Sequence, residues 1–326
     1  MQWKRFLPYL LSFLLLAAII RFIDVNAVWS QATAFGVIPS LLFMALYAAN
    51  FFFRAVKWKY LLKPFADVKL SDSYHYTMVG FFANNLLPAR IGELIRAYAL
   101  SRKTGLGKAK CFATVIVDRV TDGTALIGLF ALAFLLSEKV PEGVDKLVLL
   151  PAALFAALFA AFLFPQKMRQ LFKPFIRRLP LLREKIDFLF EETIVGGKAL
   201  RGNQKRKAVI WGSSAAVWAL HVVSFYYAAQ QMNLGLGLLD IGLMTALASF
   251  AVMVPAAPGY IGTYEAAVVA FFVAYGLDVN QGLAYAVVTH VLQLLAITLM
   301  GYYSVHKLGL KVAEVLQNKE AGRGAG

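Results

Sequence analysis

Three ionised side chains, Asp118, Arg119 and Asp122, sit inside an otherwise apolar run that reaches from 111 to 136. A charge placed at the centre of a membrane-embedded helix costs about 2.5–3.5 kcal/mol on insertion scales, so such residues have a structural or functional reason to be there. Asp118 and Asp122 are four apart and share a helix face, and Arg119 reaches Asp122 at i,i+3. If the helix begins near Lys108, Asp118 lies about 15 Å along it, near the middle of a hydrocarbon core about 30 Å thick. Two chemistries fit: an ion network that ties helices together, or the charged wall of a cavity that receives a polar group.

Two further clusters carry polar side chains in apolar surroundings. The first is Asn84, Asn85, Arg90, Glu93 and Arg96, around Pro88. Residues Arg90–Lys103 read as an amphipathic helix with Ile91, Leu94, Ile95 and Tyr98 on one face and Glu93 and Arg96 as i,i+3 partners. This is either a surface helix at the inner leaflet, or a helix that brings Arg90 or Arg96 to a lipid phosphate, which arginine can bond through two oxygens. The second cluster is Pro255, Pro258, Gly259, Gly262 and Glu265. Glu265 either caps backbone amides or handles substrate or protons. His221 and His290 fall deep in apolar runs, where packing competes with a site role. The single cysteine, Cys111, reads as a small packing residue; it permits no intrachain disulfide and no paired-cysteine metal site. No metal and no cofactor is expected.

The elements that must hold these groups are membrane helices. Apolar residues make up 60% of the 326-residue chain and charged residues only 16%, with mean hydropathy +0.65. That is outside the composition of a soluble domain. Six runs reach spanning length, roughly 6–23, 36–56, 111–136, 146–164, 208–231 and 281–304. Lys4 and Arg5 place the N-terminus in the cytoplasm, the stretch 24–35 is a loop on the far side, and the second span ends at Arg54, Lys57, Lys59 and Lys63, inside. Val25-Asn26-Ala27 resembles a signal cleavage site, but an uncleaved first span is the favoured reading. Trp3, Trp29, Trp58 and Trp211 fall at span ends, as an interfacial belt would.

Residues 74–103 and 238–276 are apolar but broken by proline and glycine. Basic residues flank the first on both sides, whereas no Lys or Arg occurs between 208 and 306. Each therefore reads as a re-entrant helical hairpin, the two entered from opposite faces. Paired interruptions in inverted halves point to a transport site at the bilayer midplane, and broken helices at depth require burial in protein or an aqueous cavity. The expected fold is all-α: a polytopic membrane helical bundle of about six spans plus two re-entrant hairpins in inverted-repeat arrangement. Residues 1–310 form one transmembrane domain and 311–326 a partly disordered cytoplasmic tail.

The net charge of +15 is concentrated between 165 and 207, where twelve basic residues face four acidic ones, an excess of eight. Beside two spans this is a cytoplasmic loop on anionic lipid. Nucleic-acid binding is the other reading of a basic chain, but no nucleic-acid motif is present. The localisation expected is the cytoplasmic (inner) membrane of a bacterium, with both termini inside.

Three ordered motifs resemble the lysylphosphatidylglycerol synthase transmembrane, or flippase-like, family: Asn84-Asn85-Leu86-Leu87-Pro88-Ala89-Arg90-Ile91-Gly92-Glu93-x-x-Arg96, then Asp118-Arg119-x-x-Asp122, then Pro255-x-x-Pro258-Gly259-x-x-Gly262-x-x-Glu265. The resemblance covers about 10–305 and implies movement of a phospholipid or lipid-linked molecule between leaflets. Tyr260 stands where the family usually has a second glycine after the proline, and His290 where its last span commonly has an arginine. The full-length synthases also carry a soluble aminoacyl-transferase domain; this chain ends at 326 without one, so aminoacylation of lipid is not expected. In a flippase the phosphate would pair with Arg90, Arg96 and Arg119, while Glu93, Asp118, Asp122 and Glu265 would balance a cationic headgroup or take protons. Asn84, Asn85, Pro258, Gly259, Gly262 and His290 complete the candidate binding site. The partner expected is a membrane phospholipid, anionic rather than neutral, and no nucleic acid; a homo-oligomer or a synthesis-enzyme partner stays open. No nucleotide-binding loop is present to drive transport. Two other functions compete: a non-transporting partner that anchors a lipid- or glycan-synthesis enzyme through 165–207, and an intramembrane transferase built on Asp118-x-x-x-Asp122, whose spacing departs from the paired aspartates of the CDP-alcohol phosphotransferases. Neither reading makes the chain an enzyme with a recognisable catalytic triad or zinc motif.

Overall fold

The computed structural model describes residues 3–21, 23–87, 90–137, 202–253 and 257–312, with isolated positions between 153 and 200. The expected span 146–164, most of the basic segment 165–207, Pro88, Pro255 and the tail beyond 312 lie outside the described residues. Among the described residues ten α-helices follow in order: α1 Trp3–Ile20, α2 Val25–Ala34, α3 Val37–Leu62, α4 Leu70–Leu86, α5 Gly92–Thr104, α6 Lys108–Leu136, α7 Gln204–Gln231, α8 Leu238–Ala251, α9 Thr263–Ala274 and α10 Val279–Lys307, with a 3₁₀ turn at Pro258–Tyr260. No strand occurs among the described residues.

Helices α3, α6, α7 and α10 are long and apolar enough to cross a membrane, with 26, 29, 28 and 29 residues. They correspond to four of the six expected spans, each extended by several residues. The first expected span is α1, which meets α2 at 98°. The stretch 24–35, expected as a loop, is thus mostly helix α2. Asp24 starts it, its Oδ1 accepting from the Asn26 and Ala27 amides at 2.9 and 3.3 Å. Leu10, Phe13, Leu14, Leu41, Leu132, Leu135 and Leu299 are exposed on the outer surface, which suits lipid and would be a liability in water.

Both broken stretches are helix–break–helix hairpins. Legs α4, α5, α8 and α9 have 17, 13, 14 and 12 residues, each short of the about 20 a crossing needs. Long helix, hairpin, long helix occurs twice: α3, α4–α5, α6 and then α7, α8–α9, α10. The packing has the same order. Exchanging α3 with α7, α4 with α8, α5 with α9 and α6 with α10 turns each of the main packing contacts between these elements into another of them. The α3–α7 pair maps onto itself, α4 packs on α10 as α8 packs on α6, and α4 meets the 3₁₀ turn of the second break. This is the pairing that an internal two-fold relation produces.

Glycine sets how closely the legs approach. In the first hairpin α4 and α5 cross at Gly80 and Gly92, where a Cβ on Gly92 would overlap the Gly80 carbonyl and the Asn84 amide. In the second, Gly262 has φ +91 and lies against the backbone of Ser12 in α1, whose hydroxyl accepts from the Ala257 amide at 3.1 Å.

Beside a small apolar cluster of Val79, Phe82, Ala83, Ile95 and Val305, two larger ones fill the bundle. The larger joins α3, α7, α8, α9 and α10 through Phe43, Tyr47, Phe51, Phe225, Met244, Phe271 and Tyr285. The smaller joins the end of α3 to α5, α6 and α7 through Trp58, Leu61, Leu100, Cys111, Val115 and Ile210, and Cys111 is a buried packing residue within it. Trp58 is fully buried, so it does not belong to the interfacial belt; Trp29 is 71% exposed and can. Trp58 is held inward because its Nε1–H donates to Thr114 Oγ1 at 3.1 Å. The side chain of Trp3 lies outside the described residues.

Gly92→Ala is expected to cost about 1–3 kcal/mol through overpacking, lowering the unfolding midpoint of the detergent-solubilised protein. Gly107→Ala, where an added methyl meets open space, should change stability by no more than about 0.5 kcal/mol; equal effects from the two would contradict the crossing.

Candidate functional site

Helix α3 does not stop at residue 56. It continues to Leu62 and carries Arg54 and Lys57 into the protein, so neither is the interfacial charge that the sequence suggests; Lys63 is exposed and keeps that role. Lys57 is 0% exposed and Arg54 8%. They fall between the two apolar clusters, opposite Asp118 and Asp122 of α6. Lys57 Nζ lies 2.8 Å from Asp118 Oδ1, an ion-pair contact whose angle falls outside hydrogen-bond geometry. It also donates to Asp122 Oδ1 and to the Asp118 carbonyl. Arg54 Nη1 donates to Asp122 Oδ2 at 2.8 Å, and its Nε donates to Asn50 Oδ1 at 3.0 Å.

Arg96 of α5 closes the layer from the other side. Its Nη2 donates to Asp118 Oδ2 at 2.6 Å, and its guanidinium lies over the Trp58 ring at 4.7 Å. Asp118 therefore replaces Glu93 as its partner, because Arg96 points into the bundle together with Gly92, Ile95 and Leu100. Of the two readings of 90–103, the surface helix does not hold: it is a half-buried leg, with only Leu94 of its apolar face exposed. Arg96 is also too enclosed to meet a phosphate.

Arg119 is different. It bonds Asp118 Oδ2 at 3.0 Å and approaches Asp122 Oδ2 at 3.9 Å and Glu93 Oε1 at 4.0 Å. Its side chain is 29% exposed, and the exposed part faces a cavity of about 660 Å³. This cavity lies where the two hairpin breaks meet. Arg54, Asn84, Asn85, Arg90, Glu93, Arg119, Asp122 and His290 are among its polar lining; Phe112, Ile116, Leu126, Met244, Val252 and Ile297 are among its apolar lining. Gly259 and His221 also border it.

Each break is closed by its own side chains. Asn84 Oδ1 accepts from the Gly92 amide at 2.8 Å, and Asn84 Nδ2 donates to Glu93 Oε2 at 3.1 Å. Glu265 Oε2 accepts from the Gly262 amide at 2.7 Å, which is the capping role considered for it. Glu265 Oε1 also meets His290 Nδ1 at 2.6 Å, and His290 Nε2 meets the Gly259 carbonyl at 2.7 Å. Asn85 ties α4 to α10 by donating to the Leu294 carbonyl and Thr298 Oγ1, both at 3.3 Å.

Of the thirteen expected site residues, Asn84, Asn85, Arg90, Glu93, Arg119, Asp122, Gly259 and His290 line the cavity. Arg96, Asp118, Pro258, Gly262 and Glu265 stand behind it as supports. Sequence reading missed Arg54 and Lys57; the signal was their i,i+3 spacing, which matches the i,i+4 spacing of the aspartates. It also left Tyr260 out. Tyr260 borders the cavity with φ +63, and Arg90 lies over its ring at 5.1 Å with φ +55. Non-glycine residues rarely adopt that region. The two breaks are joined there, because Arg90 Nη2 also donates to the Val252 carbonyl at 2.9 Å.

Spanning helices, an apolar exterior and a charge layer buried between them define an integral, multi-pass membrane protein. The chain belongs to the family described as the lysylphosphatidylglycerol synthase TM region, which matches residues 6–301. It is 23% identical to a UPF0104 membrane protein of Methanothermobacter thermautotrophicus over 91% of this chain and 92% of that one. It is 25% identical to a UPF0104 membrane protein of Pyrococcus horikoshii over 80% and 84% of the two chains. A Methanocaldococcus jannaschii relative is 25% identical over 71% of this chain and 97% of its own length. No solved structure matches it.

Lys57→Met removes the ammonium between two buried carboxylates and is expected to cost about 3–5 kcal/mol. Combining it with Asp118→Asn should recover part of that loss, read as a coupling in a thermal-unfolding double-mutant cycle. Additive effects would mean that the two do not interact.

Proposed function

We propose that this protein moves a phospholipid or lipid-linked molecule between the leaflets of the cytoplasmic membrane. The cavity at the junction of the two hairpins carries this reading: it is lined by both charged and apolar side chains, inside a bundle whose exterior is apolar. A headgroup phosphate would bond Arg90 and Arg119 while its acyl chains remain in lipid. Arginine suits this role because its planar fork bonds two phosphate oxygens at once.

The hairpins are re-entrant in this proposal, dipping from opposite faces, with both termini cytoplasmic and Lys59, Lys63, Arg102 and Lys103 marking the inner side. Their second legs begin at the cavity, since Glu93 in the first turn of α5 and Tyr264 in the first turn of α9 line it. Alternating access would then be rocking of one half against the other around a fixed site.

An intramembrane transferase is less well supported. Paired aspartates serve such chemistry by holding a cation between them, and here the Lys57 ammonium fills that position. An anchoring role through 165–207 has no described feature that favours it.

Reconstitution in liposomes with fluorescent phospholipids tests the proposal. Wild-type protein should accelerate leaflet exchange, and Arg119→Ala should slow it about tenfold or more, the value of one to two charge-assisted hydrogen bonds. Glu265→Ala, which releases His290 and the Gly262 amide, should slow it as well. Exchange unaffected by either substitution would refute the cavity as the route.

A further inference from the structure

The carboxylates in and behind the cavity are already matched. Asp118 meets Lys57, Arg96 and Arg119; Asp122 meets Lys57 and Arg54. Glu93 accepts from Asn84 and faces Arg119. Glu265 holds the Gly262 amide and His290. Sequence alone allows these acids to balance a cationic headgroup, but in the folded protein each is committed to the protein's own donors.

The cations are not matched in return. Around the cavity Arg54, Lys57, Arg90, Arg96 and Arg119 face Glu93, Asp118 and Asp122, five positive groups against three negative ones. The remaining acid, Glu265, meets His290 and the Gly262 amide; counting it still leaves five positive groups against four acids. Donors are left over as well. The Nε atoms of Arg90 and Arg119 are buried and have no hydrogen-bond partner among the described residues, and both side chains border the cavity. Arg54 and Arg119 lie over the same Phe81 ring, at 5.2 and 5.6 Å, so two guanidinium groups are concentrated on one part of the wall. The first turns of α5 and α9 add their partial positive charge in the same direction.

We infer that the cavity selects a phosphate-bearing headgroup that carries no compensating ammonium, and rejects the aminoacylated form of the same lipid. This rests on the translocation reading and sharpens it to a substrate class. An acceptor-rich anion meets the guanidinium groups of Arg90 and Arg119 that border the cavity and offsets the excess charge. An added ammonium would enter a positively charged site whose lining acids, Glu93 and Asp122, already face Arg119 and Arg54. Specificity of this kind comes from repulsion as much as attraction. A free phosphate shares the anionic chemistry, but the apolar lining favours the lipid-borne group.

The test compares three labelled lipids in liposomes holding the full chain: phosphatidylglycerol, phosphatidate and the lysyl ester of phosphatidylglycerol. The first two should exchange at least about tenfold faster than the lysyl ester, a difference of one charge-assisted contact. Ser249→Asp adds a carboxylate to the cavity wall on α8, and the lysyl ester should gain on phosphatidylglycerol in that variant. A lysyl ester that exchanges as fast as phosphatidylglycerol in the wild type overturns the inference, as does a folded Ser249→Asp protein with unchanged preference. Absence of exchange for every lipid would refute translocation itself. Selectivity is then read separately, from the rise in unfolding midpoint given by short-chain forms of the same lipids. Equal stabilisation by the lysyl form, or stabilisation by glycerol phosphate as strong as by short-chain phosphatidylglycerol, would count against the assignment.

Discussion

The ammonium of Lys57 is held between Asp118 and Asp122 where no part of it reaches solvent. Two carboxylates four residues apart on a buried helix repel each other, and in low dielectric neither stays ionised cheaply. A single cation between them, backed by Arg54 on one side and Arg96 on the other, allows both to remain charged. The geometry dictates more than stability. It fixes α3, α5 and α6 relative to one another, and so fixes the first hairpin against the bundle. It also leaves Arg119 as the one cation of α6 whose side chain reaches the cavity. A buried ion layer of this kind contributes less net stability than an apolar packing of equal volume could. Its retention makes sense when the cavity it supports has to present charge.

The second half of the molecule solves the same problem with other residues. Under the exchange of α5 with α9 and α6 with α10, the contact between Arg96 and Asp118 corresponds to that between Glu265 and His290. Each links the second leg of a hairpin to the long helix that follows. The polarity is reversed: base on the leg and acid on the long helix in the first half, acid on the leg and histidine on the long helix in the second. The second half thus forms one compact acid–histidine pair, while the first gathers more cations than acids. The shared architecture sets where the polar groups stand, and the sequence of each half sets their sign.

The long helices, the two breaks and most of the polar lining were legible because each leaves a local mark: apolar length, proline and glycine in an apolar run, or ionised residues where lipid forbids them. What was not legible is non-local. Arg54 and Lys57 look like a span end because four basic residues follow an apolar run within ten positions; only the partners on α6 show that two of them turn inward. Trp58 resembles a belt residue for the same reason, and its burial depends on Thr114 and Arg96, each more than thirty positions away. Arg96 has a good local partner in Glu93 and takes a distant one, since the close crossing at Gly80 and Gly92 turns that face of α5 towards α6. The stretch 24–35 carries no apolar periodicity, yet Asp24 nucleates a helix there.

Arg90 and Tyr260 make the closing link between ion layer and cavity. Both hold left-handed backbone conformations that cost of order 1–3 kcal/mol for residues with a side chain, one in each break. The strain persists because the contact it permits joins the two hairpins, ring under guanidinium, with the Val252 carbonyl as second anchor. The same guanidinium borders the cavity with its Nε unpartnered. A phosphate bonded there would compete with, or reinforce, the tie between the halves, so ligand occupancy and hairpin separation act on one side chain. An arrangement that only needed rigidity could have placed glycine at both positions and avoided the strain. Placing an arginine and a tyrosine there makes the junction of the two halves part of the cavity wall.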